Sequence, residues 1–230
     1  MLTKTLASLV FDDGFEKSCL KIARIFEERN LHTTFAVLAN PCGFLDEFPK
    51  GNFTLWNELQ KRGHSIHPHG YDHSDLTKIT FAEACSKIDA CLAYFEQHLS
   101  GFNPKEVTYH LTYNRSTPEI DAYLLDNVRA IRTCGSHGLP GDGLLYSGQL
   151  SRRSLTCSWH GPDFCDEHLL EKLVAAAASE APGFLYMLHG LEDEGWGPIS
   201  EASLARALDF IIESPFLESA TVDQLTRNSA

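Results

Sequence analysis

Apolar runs and amphipathic segments alternate along the chain. Strands are predicted where apolar or β-branched side chains dominate, at residues 6–11, 33–38, 64–67, 107–113, 129–133, 155–160 and 184–188. Helices are predicted where apolar positions recur at helical spacing, at residues 17–29, 53–62, 80–99, 117–127, 167–180 and 204–213. Repeated strand–helix units predict an α/β protein built on a parallel barrel or an open parallel sheet.

Length and composition narrow the class of protein. The 230 residues contain no visible repeat, low-complexity tract or linker, so we expect one domain over residues 1–230. The net charge is −12, from 31 acidic and 19 basic side chains, and such a surface repels nucleic acid and anionic membranes. We therefore predict neither as a partner. The oligomeric state is not readable from the sequence.

The cysteines and the apolar runs bear on location. Seven cysteines without a C-x-x-C pair argue against a disulfide framework and for a reducing compartment. No apolar run approaches the roughly 20 residues that span a bilayer, and no secretory signal is visible at the amino end. The predicted location is the cytoplasm.

Two adjacent carboxylates, Asp12 and Asp13, follow the first predicted strand. A strand-to-helix turn also favours Asp and Gly, so the turn alone is one explanation. Adjacent carboxylates repel each other, however, unless a cation lies beside them. One of the pair then binds a metal, and the other accepts a proton from the attacking water. In parallel barrels such chemistry gathers at the carboxyl ends of the strands.

The densest histidine cluster in the chain contains His67, His69 and His73. His69 and His73 are four residues apart, a spacing compatible with two imidazoles on one cation. Zinc accepts histidine nitrogen together with carboxylate oxygen, and a catalytic zinc site keeps a position open for water. His67 and His69 are two residues apart on a predicted strand and would share a face. The alternative is a solvated loop with incidental histidines.

Together these motifs resemble the polysaccharide deacetylase family (carbohydrate esterase family 4). The family's first motif, T-F-D-D-G, is matched by V-F-D-D-G at residues 10–14, with Val in place of Thr. Its second motif is matched by Gly63, His64 and Ile66, followed by His69, His73 and Leu76. The resemblance implies a distorted (β/α) barrel of about seven parallel strands. It also implies a hydrolase that removes an acetyl or other acyl group from the nitrogen of an amino sugar or related substrate, with a divalent metal ion as cofactor.

The resemblance assigns roles to the residues of these motifs. Asp12 would be the general base, and Asp13, His69 and His73 would hold the metal, for which the mixed carboxylate–imidazole set favours zinc. His67 would lie beside the site, where it would either support the ligands from behind or contact substrate. The family's fifth motif, an apolar strand ending in Leu-x-x-His, is matched at residues 185–190 and makes His189 the general acid that protonates the leaving nitrogen.

The third motif departs from the family pattern. Where the family has R-P-P-Y-G, this chain has H-L-T-Y-N at residues 110–114. Tyr113 fits, and its backbone N–H would stabilise the oxyanion. His110 replaces the arginine that orients the catalytic aspartate and is predicted to contact substrate, which leaves Arg115 or Arg132 as substitutes for the arginine.

Two further features complete the sequence comparison. The fourth motif has no clear match, and Asp163 is one candidate for orienting His189. Trp196, framed by glycines, is predicted either to stack on a sugar ring or to anchor its loop. The glycine-rich segment 134–149 is predicted to be an active-site loop or an insertion.

Two other functions stay open at this point. The His-Gly-Tyr-Asp-His form of the second motif also resembles allantoinase-like members that open cyclic amides or ureides. A non-catalytic barrel that binds metal or carbohydrate would keep the ligands but has no need of Asp12 and His189. A scaffolding role is disfavoured because heptads, repeats and large apolar stripes are not visible. The expected substrate is a soluble carbohydrate or a small N-acylated compound.

Overall fold

The computed structural model describes residues 4–41 and 43–227. The strands within these ranges are β1 Thr5–Asp13, β2 Thr34–Val37, β3 Ser65–Pro68, β4 Thr108–His110, β5 Ala130–Arg132, β6 Leu144–Leu145, β7 Ser154–Leu155, β8 Gly183–Leu188 and β9 Leu217–Ser219. The α-helices are α1 Glu16–Glu27, α2 Phe53–Lys61, α3 Phe81–His98, α4 Pro118–Asn127, α5 Ser147–Ser151, α6 His168–Ala177, α7 Glu201–Glu213 and α8 Val222–Arg227.

Each predicted strand and helix has a counterpart, with ends that differ by a few residues. The first strand is longer than predicted because Asp12 and Asp13 continue its pairing, opposite Ala36 and Val37 of β2. Helix α3 begins with a capping box in which Thr80 and Glu83 bond each other's backbone N–H. The short elements β6, α5, β9 and α8 were not predicted.

The strands follow one another around a barrel. One sheet has the order β3-β2-β1-β8-β6, with β9 also paired to β1, and a second sheet has the order β4-β5-β7. Beyond β7, Ser158 forms a parallel bridge with Tyr186 of β8, so the second sheet continues into the first. The ring order β1-β2-β3-β4-β5-β7-β8 confirms the predicted distorted barrel. Only β6 runs antiparallel to its partner in the pairings of these sheets.

The barrel has one interruption, between β3 and β4. These strands lie side by side, but no backbone ladder joins them within the described part of the chain. We refer to this junction as the β3/β4 seam. It separates strands β1 to β3 from strands β4, β5 and β7.

Alternate residues of each strand face the helices or the barrel interior. Phe11, Phe35 and Phe184 belong to the large core that packs against the helices. Val10, Ala36 and Leu185, one position away, belong to a second cluster inside the barrel, which Val222 and Leu225 of α8 complete. Helix α8 therefore closes the end of the barrel at which the strands begin.

The cysteines and the helices bear on the predictions that were made from the composition of the chain. The six cysteines within the described ranges are all free thiols, and Cys42 lies outside those ranges. Among the same residues, no helix has the length and apolarity that a bilayer crossing requires.

Candidate active site

A cavity of 340 Å³ opens where the barrel strands end, and it brings together most of the predicted site residues. Its walls include both carboxylates of β1, two histidines that follow β3, the histidine that follows β8 and several aromatic side chains. The lining residues are Asp12, Asp13, Phe44, His69, His73, Tyr113, Asn114, Arg115, Gly138, Trp159, Met187, His189 and Trp196.

Asp13, His69 and His73 form a cluster that could hold a metal ion. Their ligand atoms all lie within 4.8 Å of one another, and the Nε2 atoms of His69 and His73 are each 3.3 Å from Oδ1 of Asp13. Nδ1 of His69 lies 2.9 Å from the backbone oxygen of His110. Because a carbonyl only accepts, Nδ1 carries a proton, so in the neutral imidazole Nε2 is the nitrogen with the free lone pair, and it faces the cluster.

The environment of Asp13 suits a cation. Burial alone would raise the pKa of Asp13, but the imidazoles of His69 and His73 hold it well below its usual range. The group is therefore an ionised ligand near neutral pH. Its Oδ1 atom is buried without a well-formed hydrogen bond, and buried polar atoms of this kind need a partner. A divalent cation would supply one, so the residues fit the expected metal.

Three predicted site residues have a left-handed backbone conformation that non-glycine residues rarely adopt. The φ angles are 74° at Asp13, 60° at His73 and 56° at Tyr113. Each such residue costs of order 1–3 kcal/mol, and it persists where surrounding contacts impose it, often at functional sites. Backbone strain at three cavity-lining residues supports the prediction that these residues belong to the active site.

Asp12 is held by Arg132, which ends β5. The guanidinium bonds both carboxylate oxygens, from Nη1 to Oδ1 at 2.8 Å and from Nη2 to Oδ2 at 2.7 Å. Both side chains are buried. Burial would lower the pKa of Arg132, but the Asp12 carboxylate outweighs it and raises that pKa. Of the two substitutes suggested for the missing arginine, Arg132 therefore holds Asp12, whereas Arg115 lies 3.4 Å from Asp75.

His189 follows β8 and lies beside Trp196, with ring centroids 5.4 Å apart. Removal from water lowers the pKa of His189, although the carboxylates of Asp13 and Asp12 oppose that shift. The loop that carries Trp196 is anchored by Glu194, which is buried and accepts hydrogen bonds from the backbone N–H of Ser18 at 2.8 Å and its hydroxyl at 2.6 Å. Asp163, the candidate for orienting His189, is exposed and is not among the cavity-lining residues.

The substrate contact predicted for His110 is wrong, and of the two roles predicted for His67 the structure is compatible only with a place behind the metal ligands. Both imidazoles are fully buried, and neither is among the lining residues of the cavity. A strand rises about 3.3 Å per residue, so His67, two residues before His69, lies one layer deeper in the barrel. There it contacts His110 across the seam, with Nδ1 of His67 3.1 Å from Nε2 of His110.

Several lining residues were not predicted from the sequence. The ring of Phe44 stacks on His73 at a centroid distance of 3.8 Å, although Phe44 lies in a loop with no periodic pattern. Trp159 and Met187 also line the cavity. Gly138 brings segment 134–149 to the cavity, as predicted. A Cβ atom at Gly138, whose φ is 58°, would lie only 2.7 Å from the backbone oxygen of Tyr113.

This fold and cavity define a class of protein: a barrel hydrolase with a candidate metal centre and, beside it, a second carboxylate, Asp12, which is held by Arg132 and is not part of the ligand cluster. The family model described as polysaccharide deacetylase matches residues 2–124, more than half of the chain. The chain belongs to the polysaccharide deacetylase family. The prediction of a deacetylase-type hydrolase is thereby confirmed. No curated protein matches the sequence at a significant level.

Solved structures share the fold along almost the whole chain. One described as a T48 deacetylase with substrate has 18% identity and a TM-score of 0.64, covering 99% of this chain and 94% of that chain. A family 4 acetyl xylan esterase from Clostridium thermocellum, in complex with a cobalt ion, has 19% identity and a TM-score of 0.61, covering 97% and 91%. A CE4 family pseudoenzyme from Bacillus anthracis has 12% identity and a TM-score of 0.62, covering 98% and 66%.

Proposed function

We propose that the protein is a metal-dependent N-deacetylase that acts on an N-acetylated amino sugar or a related N-acylated compound. The observation that carries this proposal is the cluster of Asp13, His69 and His73 beside a separate, clamped carboxylate, Asp12, with His189 in the same cavity. Asp13, His69 and His73 would hold the ion, and zinc is the ion that we propose. When bound, a divalent ion lowers the pKa of water and polarises the acyl oxygen.

We assign the remaining steps of the reaction to individual groups of the protein. Arg132 fixes both oxygens of Asp12, so the carboxylate is oriented to accept a proton from the attacking water. The backbone N–H of Tyr113 is our proposed donor to the oxyanion that forms on the acyl group. His189 would then donate a proton to the nitrogen as the carbon–nitrogen bond breaks. Because burial lowers the pKa of His189, its protonated form is a stronger acid than free imidazolium.

The rim of the cavity supports a carbohydrate substrate. Phe44, Tyr113 and Trp196 all line the cavity and remain substantially exposed, at 41%, 51% and 42%. Exposed aromatic rings offer flat apolar faces against which a sugar ring can pack, with polar groups free at the edges. We propose a soluble saccharide substrate in the cytoplasm, in keeping with the free thiols. A panel of N-acetylated amino sugars and small cyclic imides or ureides would separate this proposal from the allantoinase-like alternative.

We expect the purified protein to bind one divalent metal ion per chain and His69→Ala to lose it. The substitution removes one of three ligands, and the remaining pair leaves the ion with too few protein donors. Elemental analysis after dialysis measures the ratio of metal to protein. His98→Ala, at an exposed position on α3, is the matched control and should retain the metal. An undiminished metal content in His69→Ala would overturn the ligand assignment.

His189→Ala should reduce amide hydrolysis more than ester hydrolysis, with unchanged metal content. An amide nitrogen must be protonated before it can leave, whereas the oxygen of an activated ester departs without a proton. Rates are measured on an N-acetyl sugar and on an activated acetate ester, with His137→Ala, at an exposed position, as control. Equal losses on both substrates would mean that His189 only binds substrate, and loss of metal would make it a ligand.

A further inference from the structure

A chain of hydrogen-bonded polar side chains, buried from His67 onward, runs from helix α8 to the metal-ligand cluster. Oδ1 of Asp223 lies 2.9 Å from Nε2 of His67, and Nδ1 of His67 lies 3.1 Å from Nε2 of His110. The backbone oxygen of His110 in turn accepts from Nδ1 of His69 at 2.9 Å. Ser65 donates to the second oxygen of Asp223 at 2.7 Å. The imidazoles of His67 and His110 are fully buried, so water does not compete for the bond between them, whereas the Asp223 carboxylate keeps 20% of its side-chain surface exposed.

The chemistry of the acceptor sets the direction of the bonds. A carboxylate only accepts, so Nε2 of His67 carries a proton that it donates to Asp223. In neutral His67 the other nitrogen, Nδ1, is then an acceptor, and His110 donates to it from Nε2. Asp223 thus fixes the tautomers of His67 and His110, and it does so from α8, at the end of the barrel opposite the cavity.

The chain crosses the β3/β4 seam, where the described residues have no backbone ladder. On one side of the seam lie Asp13 and His69, and on the other lie Arg132 and Tyr113. Each hydrogen bond of this chain across the seam therefore involves a side chain. A further one forms nearer the surface, where the Thr112 hydroxyl donates to the backbone oxygen of Ser74 at 2.5 Å. Together with the Arg132–Asp12 ion pair, which joins β5 to β1, these bonds set the distance between the two halves of the active site.

We propose that Asp223 is a positioning residue. Through His67 and His110, it fixes the position of the ligand cluster, on the side of the first sheet, relative to Arg132 and Tyr113, on the side of the second. The proposal rests on the proposed function, because it gives a remote residue a role in that site. It also accounts for His110, which occupies the position where the family resemblance places an arginine. Because Arg132, on the next strand, already holds Asp12, the imidazole of His110 can instead bond His67 across the seam.

The first test needs no substitution and no metal. Long-range ¹H–¹⁵N spectra of the metal-free protein, labelled in its histidines, report which ring nitrogen is protonated. We expect Nε2–H on His67 and on His110, and Nδ1–H on His69. A His67 protonated on Nδ1 alone, or on both nitrogens, would reverse the bond to His110 and overturn the proposal.

The second test compares variants of Asp223. Asp223→Leu removes the acceptor at nearly constant size, and we expect the Nε2–H preference of His67 to be lost. Loss of a group bonded directly to a metal ligand costs about 10- to 100-fold in metal affinity or activity, and Asp223 acts on such a group, His110, through His67. We therefore expect kcat to fall by about tenfold or more with KM unchanged. Asp223→Asn keeps an oxygen that accepts from Nε2 and should restore both the tautomer and most of the turnover.

Two control variants distinguish a positioning role of Asp223 from a role in docking helix α8, and a further measurement distinguishes failure of this proposal from failure of the proposed function. Val222→Ala weakens the apolar docking of α8, and Ser65→Ala removes the second bond to Asp223 but leaves His67 paired; both should lower stability without changing kcat or the His67 tautomer. Equal losses of kcat in Val222→Ala and Asp223→Leu would overturn the positioning role. A wild-type protein that has the expected tautomers but binds no metal would instead contradict the proposed function.

Discussion

Replacement of Asp12 by asparagine is expected to reduce turnover by roughly 10²- to 10⁴-fold while metal stays bound, because a general base is removed and no ligand is lost. The amide has nearly the shape of the carboxylate but cannot accept the proton of the attacking water. Turnover and metal content are measured on the same preparation, so that the two effects are separated. Asp193→Asn, at an exposed position on the loop after β8, is the matched control and should have wild-type turnover.

The structure adds a condition to this experiment. Arg132 is fully buried, and Asp12 is its carboxylate partner, so Asp12→Asn also leaves a buried guanidinium without a counter-charge. Turnover must therefore be measured well below the melting temperature of the variant. Near wild-type turnover in folded, metal-loaded Asp12→Asn would place the base elsewhere and remove the centre of the proposed mechanism.

Arg132→Met is expected to lower the free energy of unfolding by roughly 3–5 kcal/mol, the range for breaking a buried ion pair by removing one partner. Methionine fills much of the same volume, so the loss comes mainly from the Asp12 carboxylate left buried and unpaired. Chemical denaturation of the metal-free protein gives the difference directly. In the metal-loaded protein, a bound cation close to Asp12 should reduce the loss.

A double-mutant cycle isolates the pair itself. If Asp12 and Arg132 act as a unit, the double variant Asp12→Asn/Arg132→Met should be less destabilised than the sum of the single variants, since neither leaves a charge behind in it. Coupling energies of about 0.5–3 kcal/mol are typical for residues in contact. Additive losses would contradict the pairing. Arg115→Met, whose salt bridge to Asp75 is partly exposed, should change stability by only about 1 kcal/mol or less.

Much of the fold was predictable because the strands and helices carry strong local patterns. The apolar runs around Phe11 and Phe184 have periods that hold across whole elements, and the Thr80 capping box marks a helix start by itself. The short elements β9 and α8 lack such patterns. Strand β9 is set by its pairing with β1, and α8 by apolar contacts inside the barrel; these are tertiary effects that a local window does not contain.

The candidate site was predictable where a motif carried it and not elsewhere. Asp12, Asp13, His69, His73 and His189 all line one cavity. The depth of His67 depended on where β3 ends, and strand ends are poorly defined by pattern alone. The sequence named Arg132 only as one of two candidates, because the choice depends on which strand faces the end of β1 across the barrel interior.

The origin of the cavity walls has a consequence for how this scaffold can change. Asp12, Asp13, His69 and His189 lie on or directly after barrel strands, and His73 follows His69 by one short turn, whereas Phe44, Gly138 and Trp196 reach the cavity from loops further from the strand ends. Loops tolerate substitution and length change far better than paired strands do. Natural variation or laboratory selection could therefore exchange one acylated compound for another by altering these three loops, while the barrel that holds the reacting groups is inherited intact.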